Sequence, residues 1–161
     1  MKTKQLAQEV NDKLRARGLT LSTAESCTGG GIAAAITSIP GSSEIFKGGV
    51  VAYANEVKSS VLSVSEATLQ HDGAVSEMTV RQMVTGVARL MQTECAIATS
   101  GIAGPGGGTD EKPVGTVWLA ILIGKETHTR LLKLDDKGRE ANIEATIQRA
   151  LETLKSLLCD Y

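Results

Sequence analysis

The sequence predicts a three-layer α/β/α domain on a mixed sheet. Short apolar segments alternate with amphipathic helical ones along most of its length. Gly115 to Ile123 is the most continuous apolar run and fits a central strand covered on both faces. The stretch after it turns at Gly124-Lys125-Glu126 into the alternating Thr127 to Leu134, so these two strands read as an antiparallel hairpin.

Taken in order, Leu6, Val10 and Leu14 recur at helical spacing until Gly18 stops the run, which defines a first amphipathic helix. Leu19-Thr20-Leu21-Ser22 alternates as a short strand. Thr23 to Gly31 then forms a strand-to-helix turn, and a second helix runs from about Gly30 until Ile39-Pro40-Gly41 ends it. Gly48 to Ala54 reads as a strand, and Asn55-Glu56 opens a helical stretch through Lys58 to Leu62. Ser65 caps a single helical turn closed by His71-Asp72-Gly73. Ser76 caps a longer helix to about Met91, whose Val80, Met83, Val84, Val87, Ala88 and Met91 form one apolar stripe suited to a core face. Cys95 to Thr99 is a buried strand of small residues, and Gly138 to Leu158 closes the domain as a long helix.

Composition narrows the function. A chain of 161 residues that is 42% hydrophobic supports one compact domain over residues 1–161 and is short for two. A net charge of −1 with interspersed signs offers no basic face for a nucleic acid backbone, and 2% aromatic residues leave few platforms for stacking on bases. The three cysteines, Cys27, Cys95 and Cys159, lie far apart, without the spacing of a zinc site or the density of a disulfide scaffold. That usage suits a reducing cytoplasm. There is no apolar leader and no run long enough to span a bilayer, so no membrane partner is expected.

Polar groups cluster where the expected strands end. Ser26 follows the first strand, Tyr53, Asn55 and Lys58 the second, and Ser100 with the glycine-rich Gly101 to Gly108 the third. In open α/β sheets such ends line the ligand crevice. The Ser26 turn is open to three readings: a nucleophile beside oxyanion donors, a phosphate cradle on the first helical amides, or a glycine-rich connection without a ligand. His71 and His128, the two histidines, sit at neither kind of strand end, which argues against a Ser-His-Asp triad. A Ser-Lys dyad stays open, because a lysine buried in a low-dielectric site loses its charge and can act as a base. Lys58 is the best-placed lysine, although a solvated helix face is the usual fate of a lysine. Tyr53 reads equally as a core tyrosine. Cys27 is a rival nucleophile that better fits a packing role. The Ser100 to Gly108 loop resembles a cradle of backbone donors for phosphate or carboxylate, and is neither a Walker loop nor a Rossmann fingerprint. No metal-ligand constellation is evident.

Five blocks occur in order: Ala24-Glu25-Ser26-Cys27-Thr28-Gly29-Gly30, Tyr53-Ala54-Asn55-Glu56-Val57-Lys58, Gly73-Ala74-Val75-Ser76-Glu77, Ser100-Gly101-Ile102-Ala103-Gly104-Pro105-Gly106-Gly107, and Lys112-Pro113-Val114-Gly115-Thr116-Val117-Trp118. Together they resemble the CinA C-terminal domain family, whose characterised stand-alone members are nicotinamide-nucleotide amidases. The resemblance implies hydrolysis of nicotinamide mononucleotide to nicotinate mononucleotide and ammonia, with no metal or cofactor. It implies Ser26 as nucleophile, Lys58 as base and Tyr53 as an assisting residue. Thr28, Gly29, Gly30, Asn55, Ser100, Gly101, Gly104 and Arg139 are the expected substrate contacts. Ile143 stands where the family often has a second arginine. The resemblance also favours a homodimer or larger homo-oligomer. Two alternatives accompany this reading: a nucleotide-binding module without turnover, and an amidohydrolase for another small carboxamide.

Overall fold

The computed structural model describes residues 2–161. Five strands form one mixed sheet: β1 (Leu21–Glu25), β2 (Phe46–Val51), β3 (Cys95–Gly101), β4 (Thr116–Ile123) and β5 (Glu126–Lys133). Their order is β2-β1-β3-β4-β5. The pairs β2/β1 and β1/β3 are parallel, whereas β3/β4 and β4/β5 are antiparallel. The helices are α1 (Lys2–Arg17), α2 (Gly31–Thr37), α3 (Asn55–Ser60), α4 (Glu66–His71), α5 (Glu77–Met91) and α6 (Arg139–Cys159), with one 3-10 turn at Ser42–Glu44.

Two apolar clusters flank the sheet. On one face Leu6, Val10 and Leu14 of α1, Ile32 and Ile36 of α2, and Ile147, Leu151 and Leu154 of α6 pack on Leu21, Ile97, Leu119 and Ile121. On the other face Val80, Met83, Val84 and Val87 of α5 meet Ala24, Ala96, Ala98 and Ala120. The stripe read on α5 is therefore core. Chain direction explains the division: β1 to β2 steps one way across the sheet and β2 to β3 steps back past β1, so right-handed crossovers place α2 and α5 on opposite faces. Small side chains on the α5 side let that helix approach closely. α5 also lies close against the segment that follows α3, since a Cβ at Gly86 would fall 1.9 Å from the Leu62 carbonyl oxygen.

The expected architecture holds, with local differences. β1 extends to Glu25, because residues 21–25 are paired on both sides, so Thr23, Ala24 and Glu25 belong to the strand rather than the turn. β2 begins at Phe46 and stops at Val51, which leaves Ala52 and Tyr53 beyond the sheet. The apolar run of β4 marks an interior strand, but the middle of the order is β3. α2 ends at Thr37, where the Thr37 hydroxyl turns back to the Ala33 carbonyl, ahead of Pro40. Ser65 and Ser76 cap α4 and α5 by accepting from the Thr68 and Thr79 amides, as their types suggest.

Candidate active site

The three parallel strands end at one edge of the sheet. Glu25 is in register with Val51 on one side and Thr99 on the other, so Ser26, Ala52 and Ser100 form the next rung outward. The rung is tied together by the Ser26 amide donating to the Thr99 carbonyl (3.0 Å) and the Ala52 amide donating to the Glu25 carbonyl (2.8 Å). Above it lies a cavity of about 270 Å³. Ser26, Tyr53, Asn55, Lys58, Ser100, Gly101, Gly104 and Arg139 all line it.

Lys58 reaches the rung from the last turn of α3. Its side chain is buried, with 1% of the residue exposed. The Nζ donates to the Ala52 carbonyl (2.8 Å) and the Tyr53 carbonyl (3.2 Å), and lies 3.1 Å from Ser26 Oγ. Burial lowers its pKa from the ordinary lysine value. The neutral amine carries two protons and one lone pair. Two carbonyls for the protons leave the lone pair for the Ser26 hydroxyl, so Ser26 can donate to Lys58. This arrangement can remove a proton from Ser26 Oγ.

The cavity walls are fixed by side-chain to main-chain hydrogen bonds. Ser100 Oγ donates to the Ala74 carbonyl (2.7 Å), and Lys112 Nζ donates to the Asp72 (3.0 Å) and Val75 (2.7 Å) carbonyls. Opposite them, Arg139 at the start of α6 donates to the Gly104 carbonyl (2.8 Å) and the Tyr53 hydroxyl (2.9 Å). Asn142, one turn along α6 and buried, donates to the Ala103 carbonyl (3.0 Å) and Asp136 Oδ1 (3.0 Å), which holds the glycine-rich loop against the helix. Two glycines there are required: a Cβ at Gly104, whose φ is +81°, would come 2.5 Å from the Val114 side chain, and one at Gly108 would come 2.8 Å from the Val114 nitrogen.

Thr28, Gly29 and Gly30 sit behind the turn instead of at the cavity wall. The reason is Glu25, the residue whose part the sequence leaves unread. Its carboxylate is buried and accepts from the Ile32 amide (2.8 Å), the Ala33 amide (3.0 Å) and Thr28 Oγ1 (2.6 Å). The Gly29 amide turns back to the Ser26 carbonyl (3.0 Å). The N-terminus of α2 is thus closed by the protein's own carboxylate, which leaves the Ile32 and Ala33 amides unavailable for the phosphate cradle that was one of the three readings of the turn.

Cys27 lines the cavity but is mostly buried, and burial pushes its thiol up to about 12. Its packing role stands. His71 and His128 are on α4 and β5, away from the cavity. Among the described residues no group of three or more His, Cys, Asp or Glu is placed to hold a metal, and no helix is long and apolar enough to cross a membrane.

These features define an α/β protein with a hydrogen-bonded serine–lysine pair at the carboxyl edge of its parallel strands. The chain belongs to the CinA C-terminal domain family, which it matches over residues 3–158. It is 48% identical over 154 residues to a CinA-like protein of Parasynechococcus marenigrum, covering 95% of this chain and 37% of that protein. A CinA-like protein of Shewanella denitrificans is 45% identical over 155 residues, with 96% and 37% covered. The chain thus spans little more than a third of these relatives. Among solved structures, the competence/damage inducible protein CihA of Agrobacterium tumefaciens superposes with a TM-score of 0.95 at 42% identity, covering 98% of this chain and 96% of that one. A CinA superfamily protein of Klebsiella pneumoniae gives 0.95 at 38%, with 99% of each chain covered.

Proposed function

We propose that residues 1–161 act as one amidase domain that hydrolyses the carboxamide of nicotinamide mononucleotide, yielding nicotinate mononucleotide and ammonia. The observation that carries this reading is the buried Lys58 Nζ 3.1 Å from Ser26 Oγ. Lys58 takes the Ser26 proton while Oγ attacks the carboxamide carbon. The tetrahedral adduct collapses as Lys58 returns the proton to the leaving nitrogen, and ammonia departs. Water, deprotonated by the same amine, then hydrolyses the acyl-serine ester, releasing the acid and restoring Ser26. The Cys27 amide follows the nucleophile directly and, among the described residues, makes no main-chain hydrogen bond, so it is available to the oxyanion.

Arg139 and the amides of Ala103, Gly104, Gly106 and Gly107 supply donors at the far side of the cavity, suited to the phosphate. Ile143 offers none, so Arg139 is the arginine that joins those amides there. The serine–lysine route requires no metal, and activity should survive EDTA. The resemblance to stand-alone amidases supports this substrate, together with a cytoplasmic homodimer or larger assembly, whose size sedimentation would measure.

The test is ammonia release from nicotinamide mononucleotide. Ser26→Ala and Lys58→Ala should each abolish it, and full activity in either variant would sink the mechanism. Calorimetric binding of the nucleotide by the parent without any product would favour a binding module instead. Turnover of other small carboxamides in its place would favour a different amidohydrolase.

A further inference from the structure

Ser100 lines the cavity together with Ser26 and Lys58. A serine hydroxyl has one proton and two lone pairs. The Ser100 proton is engaged by the Ala74 carbonyl at 2.7 Å, and the residue is 1% exposed, so the hydroxyl is held between β3 and the 72–76 turn. What Ser100 can turn toward a ligand is an acceptor. Its register places it on the rung beside Ser26, about 5 Å away by strand spacing. A carboxamide carbon within reach of Ser26 therefore brings its substituents within reach of Ser100.

Two neighbouring donor side chains already carry hydrogen bonds within the protein. Lys58 Nζ already faces the Ala52 and Tyr53 carbonyls and Ser26 Oγ, and the Arg139 guanidinium is tied to Gly104 and the Tyr53 hydroxyl. A carboxamide has two N–H donors to offer an acceptor, whereas an ionised carboxylate has none and sets its lone pairs against those of Ser100. Switching the Ser100 hydroxyl toward a carboxylate would strip the Ala74 carbonyl of its donor.

The geometry points to Ser100 as the residue that distinguishes the amide substrate from the acid product: it accepts a hydrogen bond from the carboxamide nitrogen and disfavours the carboxylate that replaces it. This rests on the amidase reading and adds to it a physical reason for product to leave. Loss of the nitrogen as ammonia removes the donor that Ser100 was holding.

The experiment separates binding from turnover by working in the Ser26→Ala variant. Calorimetry measures the affinity of nicotinamide mononucleotide and of nicotinate mononucleotide, with Ser100 intact, as Ser100→Ala and as Ser100→Thr. The parent should prefer the amide. Ser100→Ala should reduce that preference about tenfold by weakening the amide alone, the scale of one net hydrogen bond. Ser100→Thr, which keeps the hydroxyl, should restore the preference. Equal weakening of both ligands in Ser100→Ala would mean that Ser100 only supports the wall, and an unchanged ratio would mean that it plays no part; either overturns the inference while leaving the amidase intact. Failure of the Ser26→Ala parent to bind either nucleotide would overturn the substrate reading and this inference with it.

Discussion

Replacing Glu25 by alanine tests how the nucleophile turn is held. The carboxylate is the acceptor for the Ile32 and Ala33 amides and for Thr28 Oγ1. Thr28 keeps Thr99 Oγ1 at 2.9 Å, and the partly buried Ala33 amide can recruit water, so the main loss falls on the buried Ile32 amide. An unsatisfied buried donor costs about 1–3 kcal/mol, and losing a negative charge at a helix N-terminus adds roughly 0.3–1 kcal/mol. The expected destabilisation is roughly 1–4 kcal/mol. For a chain of this size each kcal/mol moves the unfolding midpoint by about 2–4 °C, so Glu25→Ala should melt roughly 3–16 °C below the parent by circular dichroism. Glu25→Gln should fall between, because one carbonyl oxygen still accepts while the new amino group meets donors. Catalysis should drop beyond the loss of folded protein, since Ser26 is the next residue. A Glu25→Ala midpoint within about 1 °C of the parent would refute the cap.

Lys58 gives a pH signature: in the proposed mechanism its neutral form is the base, and burial lowers its pKa, so kcat/KM should rise with pH and level off below the usual lysine pKa of about 10.4. A flat profile would remove it from that role. Lys58→Arg keeps a cation without a usable lone pair and should lose about 10²- to 10⁴-fold in rate. Cys27, with its thiol pushed up to about 12 by burial, should resist iodoacetamide in the native chain while exposed Cys159 is labelled, read by mass spectrometry; Cys27→Ala should keep most activity. Asn142→Ala should raise KM for the nucleotide more than it lowers kcat, because the Ala103 carbonyl loses its donor and the glycine-rich loop its tether. Asn142→Asp should be worse, setting a carboxylate against that carbonyl and Asp136, and equal KM values across these variants would argue against the tether.

Strand-end logic was enough to gather Ser26, Tyr53, Asn55, Lys58 and Ser100 near one another on paper, because parallel strands deliver their following residues to one edge, whereas Arg139 entered only through the family resemblance. It failed where side chains answer main-chain groups distant in sequence. Glu25 could not be recognised as the cap of α2 without knowing that β1 runs through residue 25. Lys112 and Asn142 bond carbonyls at residues 72, 75 and 103, separations of 40, 37 and 39 residues that no local pattern encodes. An apolar run such as β4 reports burial on both faces and is silent about order in the sheet. The glycines at 29 and 30 marked a turn correctly but not which way its amides face.

The close approach at Gly86 extends the functional footprint well beyond the cavity. Leu62 lies just past α3, and the Val64 amide donates to the Lys58 carbonyl at 3.0 Å, so a side chain at residue 86 would push on the segment that holds the lysine. Residue 86 does not line the cavity, yet a saturation map of this chain should score it with Ser26 and Lys58 rather than with ordinary helix positions. Screens that sort defects by distance from the cavity would misfile it. Any redesign of substrate preference must carry that glycine, and the α5 surface around it, along with the visible site.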